Sequence, residues 1–212
     1  MKLLSLNTGT PQPKEWNGEI ITTSIFKKAV SGSRKVFFLN IEGDIQSDLN
    51  HHGGVNKAVY AYDSSYYEHW KKILEREDWE RGLFGENLTT EGLTDDKVCI
   101  GNVYRIGSAK LQAIQPRFPC TRLNIRFGLP DMIERFFEQK RHGIYFRVVE
   151  EGIIEAGDSI ELVESSLSNI TIQNLVDSYT SKGEDKDLLK QILEIEYLPE
   201  KLKRSFQSFV KR

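Results

Sequence analysis

The sequence predicts a mainly β fold, a barrel or a sandwich, followed by a small helical segment. Three observations predict it. Up to about residue 165 the chain is cut into short β-prone runs bounded by glycine, asparagine and aspartate. Two stretches within that region carry hairpin signals. After Ser165 the apolar residues switch to three- and four-residue spacing, the period of helices. So many short strands in about 160 residues favour a barrel or sandwich over a βαβ sheet.

The expected strands are Lys2 to Leu6, Ile20 to Phe26, Val36 to Leu39, Ala58 to Tyr62, Val103 to Ile106, Lys110 to Ala113, Ile144 to Val149 and Ser159 to Val163. One hairpin, VYRIGSAKLQAI, turns at Gly107-Ser108. The other, YFRVVEEGIIEAGD, turns at Glu150 to Gly152 and again at Ala156-Gly157. Two helices interrupt the strands. Asp63 is placed to cap one that carries Tyr66, Tyr67, Trp70, Ile73 and Leu74, and the segment after Pro130 repeats the spacing with Met132, Ile133, Phe136 and Phe137. The tail spaces Ile172, Leu175, Val176 and Tyr179, then Leu188, Leu189, Ile192 and Leu193, then Leu202, Phe206 and Val210 after Pro199. The expected division is a β domain at 1–165 and a three-helix domain at 166–212, the second too small to be stable without leaning on the first.

Charge and cysteine content narrow the function classes. With 29 basic and 31 acidic residues the formal charge is −2, which gives no general electrostatic grip on nucleic acid or membrane. The opening MKLLSLNTGTPQPKEW holds too short an apolar run for a signal peptide, so the expected location is the cytoplasm. The two cysteines, Cys99 and Cys120, share no spacing with each other or with histidines that resembles a zinc or iron–sulfur site. HExxH, GxSxG, P-loop and GxGxxG patterns are all missing, which removes the usual support for hydrolase, NTPase and dinucleotide readings.

The chemistry-bearing stretch is Gln115-Pro116-Arg117-Phe118-Pro119-Cys120-Thr121-Arg122-Leu123. Two prolines stiffen the approach to one thiol, and Arg117 and Arg122 would favour its thiolate if they lie beside it in space. Cys120 is thus a candidate soft-metal ligand or nucleophile. A buried cysteine in a proline turn between two solvated arginines is the plain alternative. Cys99, between apolar neighbours, reads as a small buried hydrophobe.

A second constellation is Asp48-Leu49-Asn50-His51-His52-Gly53-Gly54-Val55-Asn56-Lys57. The Gly53-Gly54 pair lets backbone amides approach a ligand, and with His51 and His52 before it and Lys57 after it the loop is suited to a phosphate or pterin group. A simple turn explains the glycines equally well. Weaker candidates are Asn87 or Glu86 in Gly85-Glu86-Asn87-Leu88, either of which would hydrogen-bond a heterocycle if buried, and His142 and Arg147 at a strand entrance, where turn and surface-charge readings compete.

Taken in order, DIQSDLNHHGGVNKAVYAY, GEN, GNVYRIGSAKLQAIQPRFPCTRL and GIYFRVVEEGIIEAGD resemble the MOSC family, named for the C-terminal domain of molybdenum-cofactor sulfurases. A helical tail after the β domain is similar to the family's YiiM-like branch. Asn102 departs mildly from the pattern, standing where the family often has aspartate. The resemblance implies a distorted β-barrel and a molybdenum cofactor whose metal is held by Cys120. It further implies reduction of N-hydroxylated compounds, hydroxylaminopurines among them. On that reading Arg117, Arg122, Lys57 and Arg147 neutralise the cofactor, the His51 to Gly54 loop and Asn87 hydrogen-bond its pterin, and His52 supplies protons.

The chain has neither a cysteine set for an iron–sulfur cluster nor a dinucleotide fingerprint, so the expected partners are a small-molecule substrate and an external electron-donor protein. The chain itself is expected to act as a monomer or homodimer. Lys201, Lys203, Arg204, Lys211 and Arg212 would offer an acidic donor a docking face, or form a solvated helix surface. Two other functions use the same residues: a sulfur carrier with a persulfide on Cys120, and a module that holds the cofactor for delivery without turnover.

Overall fold

A computed structural model of the chain describes residues 1–47 and 53–210. The strands are β1 (Lys2–Thr8), β2 (Gln12–Trp16), β3 (Glu19–Thr23), β4 (Lys28–Ala29), β5 (Arg34–Val36), β6 (Val59–Asp63), β7 (Leu88–Glu91), β8 (Val103–Ile106), β9 (Ala109–Pro116), β10 (Ile144–Glu150), β11 (Gly152–Ile154) and β12 (Ile160–Glu164). The helices are α1 (Ser64–Lys71), α2 (Thr121–Phe127), α3 (Met132–Gln139), α4 (Ile172–Thr180), α5 (Lys186–Leu193) and α6 (Glu200–Val210).

Eight strands form one mixed sheet in the order β12-β8-β9-β10-β6-β7-β1-β4. The expected β-barrel is not closed: the ladder ends at β12 on one side and β4 on the other. The sheet curls enough to bring β1 back toward β12, but the contact is a single bridge, Lys2 to Ser159, flanked by the Leu3 N–H to Asp158 O and Ile160 N–H to Met1 O bonds, both 2.9 Å. A short run of main-chain bonds takes the place of a continuous ladder there.

Local turn chemistry decides some pairings and not others. Gly107-Ser108 joins β8 to β9 with Ile106 opposite Ala109, as the sequence predicts. Asn17-Gly18, both at positive φ, joins β2 to β3 as a two-residue hairpin, a strong signal that the strand expectations passed over. The second expected hairpin is overturned. The chain does turn between β10 and β11, but β11 pairs with β5 and β12 pairs with β8, while β10 lies between β9 and β6. One parallel pair, β6 with β7 across α1, supplies a βαβ unit that the strand count argued against.

The expected helices form where capping and periodicity coincide. Asp63 accepts the Ser65 N–H at 3.0 Å and opens α1, while its other carboxylate oxygen takes the Leu93 N–H at 2.9 Å. Thr171 and Asn174 make a reciprocal capping box at the start of α4. Helix α2, directly after Cys120, was not anticipated. Its signals are Leu123 and Phe127 one turn apart and Gly128 closing it at φ 67°. Among the described residues no helix is long and apolar enough to cross a membrane.

Two apolar clusters hold these elements together. The larger runs from Leu3, Leu6, Ile144 and Phe146 on the sheet to Ile172, Leu175, Ile192, Phe206 and Phe209 on the last three helices. The helical tail is therefore packed into the core of the sheet. The smaller is aromatic and gathers Tyr62, Trp70, Phe84, Phe127 and Phe136 around α1, α2 and α3. Phe206 is fully buried in the shared cluster, and Phe206→Ala should cost about 3–5 kcal/mol. In urea titrations we expect tail and sheet to unfold in one transition at a lowered midpoint; two separate transitions would show that the tail folds as its own unit.

Candidate functional site

Strand β9 ends at Pro116, and the chain leaves the sheet through Arg117, Phe118 and Pro119 to reach Cys120 at the start of α2. Cys120 is half-buried and in extended conformation, and its carbonyl accepts the first helical bond from the Leu123 N–H at 2.8 Å. Behind it α2 is anchored by Leu123 and Phe127 in the aromatic cluster. Phe118, between the arginine and the cysteine, lies against Tyr179 of α4 with ring centroids 4.3 Å apart. The loop thus sits between the sheet and the helical tail.

Cys120 opens onto a cleft lined also by Lys27, Asp44, Lys57, Tyr60, Asn87, Arg117, Arg122 and Tyr145. Among its described lining residues, four cationic side chains meet one carboxylate, Asp44. That carboxylate is committed to the protein: it pairs with Lys27 and accepts the Gly9 N–H at 2.8 Å and the Asn87 Nδ2 at 2.9 Å. Burial pushes the Lys27 ammonium below its usual range, with Asp44 pulling the other way. The cleft therefore favours an anionic ligand.

Arg117 is 5% exposed. Burial opposes its charge, yet Tyr60, Tyr145 and Cys120 offset this and hold the guanidinium above its ordinary range. Its Cζ lies 5.6 Å from the Tyr60 ring centre and 5.2 Å from that of Phe136. Nη1 is buried and, among the described residues, meets no hydrogen-bond acceptor. Tyr60 and Tyr145 form an aromatic wall with ring centres 5.2 Å apart, and burial pushes both phenols up, Tyr60 well above its usual range.

The structure brings Lys57, Asn87, Arg117, Cys120 and Arg122 to one cleft. His51 and His52 lie outside the described residues. Gly53 leads to Gly54, which at φ 88° starts the single 3-10 turn Val55–Lys57 that delivers Lys57. Arg147 does not line the cleft. Its Nε and Nη2 bond Asn56 Oδ1 at 3.2 and 2.8 Å, pinning that same turn from outside. Asn87 lines the cleft but spends its amide on Asp44 and the Tyr60 N–H. Cys99 is remote, in a bridge with Thr171.

Sequence reasoning missed Lys27, Asp44, Tyr60 and Tyr145. The alternation in AVYAY hints at Tyr60, but nothing local distinguishes Lys27, which is buried, from Lys28, which is exposed. Glu86, which the sequence offers beside Asn87 as a weaker candidate, does not line the cleft. Fully buried, it accepts the Tyr67 hydroxyl, the Gly82 N–H and the Thr89 hydroxyl, and so shapes the loop that carries Asn87. Burial raises its carboxyl above the ordinary range in spite of these bonds.

His142 is fully buried behind the Arg117 loop, with Phe118, Phe136 and Phe137 around its ring. Its Nδ1 bonds the Arg117 carbonyl at 3.0 Å, which requires the proton on Nδ1. Burial lowers its pKa to about 4, and burial raises that of nearby Asp95 to about 6. These shifts act on stability in opposite directions. The unfolded chain takes up the His142 proton more readily, so His142 costs stability as pH falls from 6.5 toward 4; the folded chain holds the Asp95 proton more tightly, so Asp95 costs stability as pH rises from 3.8 through 6. Each effect amounts to about 3 kcal/mol and they largely cancel in the wild type. In denaturant titrations from pH 4 to 6.5, Asp95→Asn should become more stable as pH rises and His142→Phe less stable. Equal slopes in the two variants would refute the assignment.

A metal-bearing anionic cofactor fits this site on two counts. The Cys120 thiol opens onto the cleft and would be a protein ligand to the metal, complementing donors on the cofactor itself. The unpaired Nη1 of Arg117 and the surrounding cations match an anionic group.

Comparison with known proteins agrees with this chemistry. Residues 48–161, more than half of the chain, match the family model described as MOSC domain. YflK of Bacillus subtilis, itself uncharacterized, is 38% identical over 206 residues, covering 96% of this chain and 92% of YflK. A protein of Gibberella moniliformis named Reductase is 30% identical over 91% of this chain, which spans only 35% of that longer protein. The crystal structure of YiiM from Geobacillus stearothermophilus superposes with a TM-score of 0.82 at 32% identity, covering 99% of this chain and 98% of that one. MOSC domains are associated, as a family, with molybdenum-cofactor binding. The chain belongs to the MOSC family, in its YiiM-like branch.

Proposed function

We propose that this protein is a molybdenum-cofactor reductase that converts N-hydroxylated compounds, hydroxylaminopurines among them, to amines in the cytoplasm, with electrons from a separate donor protein. The observation that carries the reading is the half-buried Cys120 thiol and the buried Arg117, whose Nη1 has no partner among the described residues, in one cleft whose described lining holds more cations than carboxylates. When bound, the cofactor supplies the two-electron chemistry of oxygen removal, for which the balance is R–NHOH + 2 e⁻ + 2 H⁺ → R–NH₂ + H₂O.

The chain's own residues bind, orient and protect. Cys120 offers the thiolate ligand, and Arg117, Arg122, Lys57 and Lys27 balance the anionic charge of the cofactor. Tyr60 and Tyr145 keep their protons and present ring faces that exclude water from the side of the cleft next to Arg117. The pairing of Lys27 with Asp44 holds that ammonium in place at the cost of burying it.

The test is to purify the wild type and Cys120→Ala from a host that makes the cofactor, measure molybdenum, and assay hydroxylaminopurine reduction with a supplied reductant. We expect molybdenum and turnover in the wild type and loss of both in the variant. A wild type with neither, even after reconstitution, overturns the proposal. Cofactor without turnover would point to delivery, and sulfane sulfur on Cys120 to a sulfur carrier.

A further inference from the structure

We propose that Asp95 is a positioning residue of the cleft: through the His142–Gly143 turn it fixes the main chain of Arg117 and so sets the guanidinium in the cleft onto which Cys120 opens. Asp95 has no exposed surface, and among the described residues no salt bridge reaches its carboxylate. A buried carboxylate without a cation is costly, and hydrogen bonds must compensate it. Those bonds come from the Tyr66 side chain and, with the geometry that matters here, from two consecutive main-chain amides. The His142 N–H meets Oδ2 at 2.8 Å, and the Gly143 N–H reaches both oxygens at 3.1 Å.

The turn held in this way needs holding. Gly143 has φ 69°, and a β-carbon there would stand 2.5 Å from the Ala61 carbonyl oxygen of β6, so the chain passes β6 closer than any side chain allows. From the turn, both main-chain groups of Arg117 are gripped. Its N–H donates to the Gly143 carbonyl at 3.2 Å, and its carbonyl accepts the His142 Nδ1 proton at 3.0 Å. The His142 carbonyl takes the Tyr60 hydroxyl at 2.8 Å, and the ring of Tyr60 is one of those over which the guanidinium lies. Arg117 and one of its aromatic supports are thus referenced to a single turn, and Asp95 is the group that pins the turn. Three residues after Arg117 comes Cys120, and the two side chains line the same cleft.

The ratio of Cys120 alkylation rates with anionic iodoacetate and neutral iodoacetamide at pH 7.5, in which the thiolate fraction cancels, tests this in the chain without cofactor, with the Cys120 and Cys99 peptides quantified separately by mass spectrometry. Arg117→Gln should lower the ratio several-fold, since the guanidinium attracts the anionic reagent. Asp95→Asn should lower it at least threefold, and His142→Phe, which keeps a ring in the aromatic box but loses the bond to Arg117, should move it the same way. The deciding measurement is the double variant: Asp95→Asn in the Arg117→Gln background should change the ratio by less than about 1.5-fold. A merely structural role for Asp95 would loosen the loop and alter the ratio with or without Arg117. An unchanged ratio in both Asp95→Asn and His142→Phe, or a full effect of Asp95→Asn in the Arg117→Gln background, overturns the proposal. If Asp95→Asn does not fold, His142→Phe alone and in the Arg117→Gln background gives the same decision.

Discussion

Burying the Arg117 guanidinium in the cleft onto which Cys120 opens is the constraint on which the rest of the site depends. A charge at 5% exposure loses most of its water, and the protein must return that stabilisation in other forms. Here it does so with aromatic faces, each worth about 0.5–2 kcal/mol, and with phenol and thiol groups close enough to favour the charge. None of these supports is a carboxylate. A carboxylate paired directly with Arg117 would satisfy the arginine and cancel the positive character of the cleft. The acid that serves Arg117 is instead Asp95, set behind the turn and spent on main-chain amides, where it holds geometry without neutralising the charge.

The opposite wall applies the other solution. Lys27 does have a carboxylate partner, Asp44, but that carboxylate is also tied to Gly9 and Asn87, which links the loop after β1, the loop after β3, the segment ahead of residue 47 and the loop before β7. Removing either charge would leave the other buried and unpaired, which in comparable sites costs about 3–5 kcal/mol. The cleft is accordingly built from segments far apart in the chain, each fixed by polar contacts to a neighbour before any ligand arrives. That is the preorganisation expected of a binding site, paid in fold stability.

How much of this the sequence revealed depends on the range of the interaction. Asp63 as a cap, the Gly107-Ser108 hairpin and the apolar spacing of the last three helices are local, within one turn or one pair of strands, and all were legible. Cys120 between two arginines was legible for the same reason. Pairing of β11 with β5 joins residues more than a hundred positions apart, and the strong turn signal at Glu150 to Gly152 pointed to the wrong neighbour. The return of β1 toward β12, which stops short of a closed barrel, is made by a bridge between Lys2 and Ser159 that no local pattern encodes. Lys27 and Asp44 are invisible for a similar reason: in FKKAV either lysine could face inward, and only the packing of three distant loops decides which. His142 was noticed but read as a strand-entrance residue, because its true role needs the Arg117 carbonyl 25 positions away.

These two kinds of legibility meet in the division of labour at Cys120. A metal site made wholly from protein side chains needs several ligands in register, and such clusters leave spacing patterns in a sequence. On the proposed reading the cofactor brings most of its own donors, so the chain contributes one sulfur and an environment. The single sulfur is easy to see because it lies in a proline-stiffened loop. The environment is hard to see because charge balance, aromatic walls and main-chain braces are assembled across the sheet. Evolution of such a site can therefore alter substrate preference through the walls and braces while leaving the Cys120 loop unchanged, since the ligand and its surroundings are carried by different segments of the fold.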